Sequence, residues 1–210
     1  MIDVLIADNH ILVREGFKKI IGEEIDLRVV GECKDAEEVL EFLRNDRCDV
    51  LVLDIDMPGK SGLDLLLELR QMDVPVRVLV QSIHPEERFA TRAFKLGAAG
   101  YITKEAAAEE LVKAIRKVYH GGVYVSESLA EKMAFELRND IERPPHEKLS
   151  PREFQIFRLI ASGQSMQEIK RALCLSLSTV NTHRRHILEK MGLKSNADIV
   201  RYAIRNKLVD

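Results

Sequence analysis

The first 120 residues of this 210-residue chain predict a doubly wound α/β domain, and residues 149–210 predict a small all-helical one. Three observations carry that reading. Short β-branched runs alternate with longer stretches whose apolar residues recur at helical spacing. The short runs are apolar almost throughout, as in parallel strands covered on both faces. The charge also divides: residues 1–120 hold 17 Lys and Arg against 23 Asp and Glu, a balance of −6, while residues 149–210 hold 11 against 5, a balance of +6. The whole-chain charge of −2 conceals that division.

Strands are expected over Val4 to Ala7, Arg28 to Glu32, Val50 to Leu53, Arg77 to Val80 and Gly100 to Thr103. Helices are expected between and after them, over Ile11 to Ile21, Asp35 to Arg44, Ser61 to Met72, Glu86 to Leu96 and Ala106 to Tyr119. Five β-α units of this kind make a five-stranded parallel sheet. Ser126 to Leu137 reads as one further helix, and NDIERPPHEK, with Pro144 and Pro145 and no apolar periodicity, reads as an exposed linker. The tail then gives four helices, Ser150 to Ala161, Ser165 to Leu173, Ser178 to Met191 and Asn196 to Asn206, each opening on Ser or Asn as an N-cap. The expected division is therefore 1–120, 121–148 and 149–210.

Composition narrows the function classes. Cys33, Cys48 and Cys174 are odd in number and lack CxxC spacing, so neither a disulfide framework nor a zinc site is expected, and reduced thiols fit a cytosol. No apolar run approaches the roughly 20 residues of a membrane span, and the start MIDVLIAD has no basic leader, so a cytoplasmic protein without a membrane partner is expected. The basic end points to a polyanion, and the acidic end to a metal or a cationic surface.

Four apolar runs end in residues able to handle a phosphoryl group: Asp8 after VLIA, Asp54 after VLVL, Ser82 after VLVQ and Lys104 after GYIT. Taken singly, each is an ordinary cap or surface residue. Parallel strands, however, bring their carboxyl ends to one rim, where open α/β sheets place their chemistry. Pro58 and the glycines of VLDIDMPGKSG impose a tight loop expected to leave the Asp54 carboxylate open. A carboxylate accepts phosphoryl as an acyl phosphate, and Mg²⁺ is the natural ion to neutralise the crowded oxygens. The DID sequence at 54–56 also resembles the Asp-x-Asp of haloacid-dehalogenase-type phosphatases, but those enzymes carry it on their first strand and this chain on its third.

The set IADNH, LDIDMPGKSG, VQSIH and AAGYITK resembles the receiver domain of two-component response regulators over residues 1 to about 120, which implies a flavodoxin-like fold. The resemblance implies that Asp54 is the phospho-acceptor, that Asp8 belongs to a Mg²⁺ pocket and that the Asp56 carbonyl is a metal ligand. It also implies that Ser82 is the hydroxyl that follows the phosphate, that Tyr101 is the aromatic switch and that Lys104 pairs with the phosphate. A sensor histidine kinase is then the phosphoryl donor. One position departs from the pattern: Asn9 stands where most receivers carry a second acid, which weakens the metal site and leaves open a receiver controlled without phosphorylation.

In the tail, a helix, a short turn and a second helix have the spacing of a helix-turn-helix. At about 100° per residue from Val180, Ile187, Leu188 and Met191 form an apolar stripe, while Ser178, Asn181, Thr182, Arg185 and Glu189 lie opposite. Arg suits guanine and Asn suits adenine in the major groove. The tail resembles the LuxR-type DNA-binding domain, and its union with a receiver resembles a NarL/FixJ-type response regulator. That resemblance implies double-stranded DNA contact through Asn181, Thr182 and Arg185, with Thr179, His183 and Lys194 beside them. A homodimer on DNA is expected, partly through the outer side of the last helix, and RNA polymerase is a further partner the resemblance allows. The chain is expected to be a transcriptional regulator, not an enzyme.

Overall fold

A computed structural model describes residues 1–84, 86–106, 108–127, 129–131 and 144–209, with the side chains of residues 87 and 88 outside the description. The chain divides into two compact units, 1–140 and 141–210. The helix expected over Ser126 to Leu137 falls largely outside the described residues.

The first unit is a parallel sheet of β1 (Ile2–Ala7), β2 (Leu27–Cys33), β3 (Val50–Asp54), β4 (Arg77–Ser82) and β5 (Gly100–Thr103) in the order β2-β1-β3-β4-β5. The helices are α1 (Ile11–Gly22), α2 (Ala36–Asn45), α3 (Gly62–Gln71), α4 (Glu86–Leu96) and α5 (Ala108–Tyr119). β1, β3 and β4 are almost entirely buried because both faces are covered, whereas the edge strand β2 keeps Arg28 and Glu32 exposed. Val4, Ile6, Val50, Val52 and Leu79 join Ile21 of α1 and Leu111, Ile115 and Val118 of α5 in one core. On the other face Leu5 and Phe42 of α2 both close on Gly31, leaving no room there for a side chain. The strand order reverses direction between β1 and β3, so the crevice at their carboxyl ends is the place for a ligand. Asp8 and Asp54 stand there.

The second unit begins with a 3-10 turn, Pro145–Lys148, within the segment the sequence presents as linker. It then runs through α6 (Pro151–Ala161), α7 (Met166–Ala172), α8 (Leu177–Met191) and α9 (Asn196–Arg205). The turn is held by the tail: His146 Nδ1 lies 2.9 Å from the Tyr202 hydroxyl, and its ring stacks on Phe154. Four serines cap the helices, Ser150, Ser165, Ser176 and Ser195, each accepting from the backbone N–H three residues on. Two of these differ from the expected caps. Ser176, not Ser178, starts α8, and Ser195, not Asn196, starts α9, where Asp198 answers by accepting from the Lys194 N–H. Among the described residues no helix is long and apolar enough to cross a membrane.

Candidate functional site

β1 and β3 each bury a carboxylate at the crevice, and both Asp8 and Asp54 are 0% exposed. Lys104, one residue beyond β5, places its Nζ 2.7 Å from Asp8 Oδ2 and 2.8 Å from Asp54 Oδ2. The expectation of an open Asp54 carboxylate is therefore corrected: the loop after β3 does turn tightly, but the Lys104 ammonium bridges the acids and covers them. That loop is fixed by close approach. A Cβ at Gly62 would lie 2.0 Å from the Asp54 carbonyl oxygen, so only glycine lets the start of α3 sit against the strand end.

Two carboxylates share one ammonium. Burial pushes the Asp54 carboxyl above its ordinary value, against the lowering pull of Lys104. Burial opposes the charge on Lys104 too, but hydrogen bonds to Asp54 and Asp8 outweigh it and raise its pKa. The pocket is thus an anionic, desolvated site short of one positive charge.

The remaining expected residues surround it. Asp56 donates its backbone N–H to Asp54 Oδ1 at 3.2 Å, while its carboxylate Oδ2 lies 2.9 Å from His84 Nε2. Ser82 is fully buried, and its Oγ accepts the His84 N–H at 3.0 Å. Tyr101 is fully buried as well and donates its hydroxyl to the His84 carbonyl at 3.1 Å. Asn9 is exposed. The potential metal ligands that converge among the described residues are Asp8, His10 and Asp54, with one ligand atom each, all within 4.8 Å of one another.

Three contributors escaped the sequence reading. Gln81, fully buried at the end of β4 opposite Asp54, donates Nε2 to Asp8 Oδ2 at 3.0 Å. His10 brings Nδ1 to 3.0 Å from Asp8 Oδ1, and Arg14 donates to the Asp8 carbonyl at 2.7 Å. A polar residue inside the apolar run VLVQS is the signal that marks Gln81.

In the second unit Val180, Ile187 and Met191 of α8 are buried against α6 and α7, and Ser178, Asn181, Thr182, Arg185 and Glu189 are exposed. Thr179 is half-buried and bound to the Ser176 cap at 2.7 Å, the Thr182 hydroxyl donates to the Ser178 carbonyl, His183 is half-buried and Lys194 is exposed. Arg185 has an exposed neighbour in Glu189 at 4.0 Å. Adjacent Arg184 instead donates to Asn196 Oδ1 of α9 at 2.5 Å.

Residues 4–116 match the family described as response regulator receiver domain, and residues 147–203 match that of bacterial regulatory proteins, luxR family. The chain belongs to the response regulators that join a receiver to a LuxR-type tail, and is a DNA-binding transcriptional regulator controlled through phosphorylation of its receiver. The response regulator GacA of Pseudomonas aeruginosa is 38% identical over 211 residues, spanning 100% of this chain and 99% of its own. The response regulator UvrY of Escherichia coli is 34% identical over 209 residues, spanning 99% and 96%. Among solved structures, RcsB of Salmonella enterica serovar Typhimurium, bound to promoter P1flhDC with the phosphomimetic BeF₃⁻, has a TM-score of 0.68 at 25% identity and spans 96% of this chain and 97% of its own.

Proposed function

We propose that Asp54 is the phospho-acceptor, and that its phosphorylation controls DNA binding by the exposed face of α8. The observation that carries the first half is two fully buried carboxylates, Asp8 and Asp54, held by the single ammonium of Lys104. Such a pocket is one positive charge short, which is what a divalent cation and an incoming phosphoryl group together correct.

An Asp54 carboxylate oxygen attacks the phosphorus of a kinase phosphohistidine or a small acyl phosphate. The bond from phosphorus to the leaving group breaks, and its electron pair stays on the leaving group. Lys104, already against Asp54 Oδ2, is placed to pair with a phosphoryl oxygen on the product. The donor set of two buried carboxylates fits Mg²⁺, with Asp8, Asp54 and the carbonyls of Asp56 and Asn9 as its holders. When bound, that ion supplies neutralising charge to the transferring group. The Ser82 hydroxyl and the Tyr101 ring are the switch elements, both tied to the segment at His84. A receiver controlled without phosphorylation is not favoured, since apart from Asn9 the acid pair and the lysine are all in place.

On the DNA side, Asn181, Thr182 and Arg185 read base edges in the major groove, with Thr179, His183 and Lys194 at its margins. The protein acts as a homodimer in the cytoplasm, meets RNA polymerase at its promoters, and turns over no substrate of its own.

Intact-mass spectrometry after incubation with a small acyl phosphate and Mg²⁺ tests the acceptor. One phosphoryl group on the wild type and none on Asp54→Ala is the expected outcome. Equal labelling of the two overturns the assignment.

A further inference from the structure

We propose that His10 is a direct ligand of the receiver's divalent cation, making this pocket a mixed nitrogen and oxygen site that takes a first-row transition ion in preference to Mg²⁺. The inference rests on the receiver reading above and deepens it.

The two residues after Asp8 change the donors this pocket offers. Asn9 offers an amide where a carboxylate would add charge, and hard Mg²⁺ depends most on such oxygen donors. His10 follows at once, and its Nδ1 stands 3.0 Å from Asp8 Oδ1. In an octahedral site with bonds of about 2.1 Å, neighbouring donors lie about 3.0 Å apart and opposite donors about 4.2 Å apart. The ligand atoms of Asp8, His10 and Asp54 all fall within 4.8 Å of one another. They need only small movements to close on one ion.

The backbone holds this arrangement. The His10 N–H donates to Asp8 Oδ1 at 2.7 Å, and Arg14 anchors the Asp8 carbonyl at 2.7 Å. His10 is the N-cap of α1 but makes no side-chain cap hydrogen bond, so the helix does not consume its ring. Against Asp8 Oδ1, an acceptor, Nδ1 carries the imidazole proton; the side chain is 59% exposed, so Nε2 can take up a proton from water as Nδ1 gives its own up to bind a metal.

A second observation points to the same place. Gln81 is fully buried with Nε2 on Asp8 Oδ2, and its Oε1, buried too, has no hydrogen-bond partner among the described residues. A carboxamide fixed against Asp8 thus keeps a spare acceptor, one that a water carried by a bound ion satisfies. Imidazole ligation shifts preference from Mg²⁺ toward Mn²⁺, Co²⁺ and their neighbours, the ions that nitrogen donors favour.

Pulsed electron paramagnetic resonance of Mn²⁺ added to the full-length protein reads ligation directly. The expected result is a ¹⁴N coupling from coordinated imidazole, present in the wild type and lost in His10→Ala. Because the ring is exposed and caps nothing, that variant keeps the fold. By calorimetry, His10→Ala is expected to weaken Co²⁺ about tenfold or more and Mg²⁺ far less. Mn²⁺ that binds in an Asp54-dependent way without ¹⁴N coupling overturns the His10 assignment and leaves the receiver reading standing. A coupling that survives in His10→Ala overturns it as well. A wild-type protein that binds no divalent ion overturns both this inference and the cation's part in the proposed function.

Discussion

A buried carboxylate persists only where something is assigned to its charge, and the three buried acids among the described residues solve that problem differently. Asp8 and Asp54 share Lys104 and remain under-compensated, which is the basis of a site. Glu153 has partners enough for stability: Lys190 at 2.6 and 2.8 Å, and the Ser150 N–H at 2.7 Å. Burial alone would raise the Glu153 carboxyl, but these partners outweigh it and hold it below its ordinary 4.5. A lowered folded-state pKa means that the unfolded chain takes up the proton first as pH falls. The stabilisation is therefore complete above about 4.5 and is lost as pH drops through the lower folded value. Glu153→Gln is expected to destabilise the tail by about 1–3 kcal/mol at neutral pH, with the gap from wild type closing in acid. Hydrogen exchange of the α6 and α8 amides as a function of pH measures this, and a gap that is constant with pH refutes it. Glu153 also shows what sequence conceals. Its place in a capping box was readable from Ser150, but its burial under Lys190, 37 residues on, is long-range packing. Gln81 was hidden for the same reason, since its partner Asp8 lies far back in the chain. The four rim residues were legible because strand ends converge by topology, whereas a polar side chain within a strand declares no partner.

At the scale of one helix, α8 divides its work between adjacent arginines. Arg184 donates to Asn196 and so ties α8 to α9, while Arg185 is exposed with Glu189 4.0 Å away. Helical phase made Arg185 legible, since Val180, Ile187 and Met191 fix which side is buried. Phase puts Arg184 about 40° from Val180, among the apolar residues of the buried side, and there it is half-buried. The start of α8 was expected at Ser178 because serines at 176 and 178 both satisfy a capping rule. The cap falls at Ser176, whose side chain accepts the Thr179 N–H. Arg185→Ala is expected to cost about 1–3 kcal/mol at a specific operator without changing thermal stability. Arg184→Ala should do the reverse, lowering tail stability by about 1 kcal/mol and preserving the ranking of operator sequences. Fluorescence anisotropy on an operator and its single-base variants, with thermal unfolding of the same proteins, separates the two. Equal losses of specificity in both variants would refute the division.

For the whole molecule, a charge of −6 in one part and +6 in the other means that the tail brings the attraction to DNA and the receiver brings the control. A single tail presents few base-reading side chains, so two tails acting together gain more from effective concentration than any one contact supplies. Under the proposed pairing, the outer side of α9 is the candidate surface. Ile199 and Ala203 are 0% exposed in the tail's own core, whereas Ile204, one residue beyond Ala203, is 59% exposed. A large aliphatic side chain in that position costs nothing to the fold when replaced, because it buries little there. Ile204→Glu is therefore expected to unfold at the wild-type temperature and to bind a single half-site as the wild type does. On DNA with two half-sites it should lose the cooperative gain that phosphorylation of Asp54 brings. Thermal unfolding measures the first of these, and anisotropy titrations at one fixed salt concentration, on one-site and two-site DNA and with and without a small acyl phosphate, measure the other two. Wild-type cooperativity in the variant would move the pairing surface away from α9, and a phosphorylated wild type that gains nothing from the second half-site would remove pairing from the mechanism.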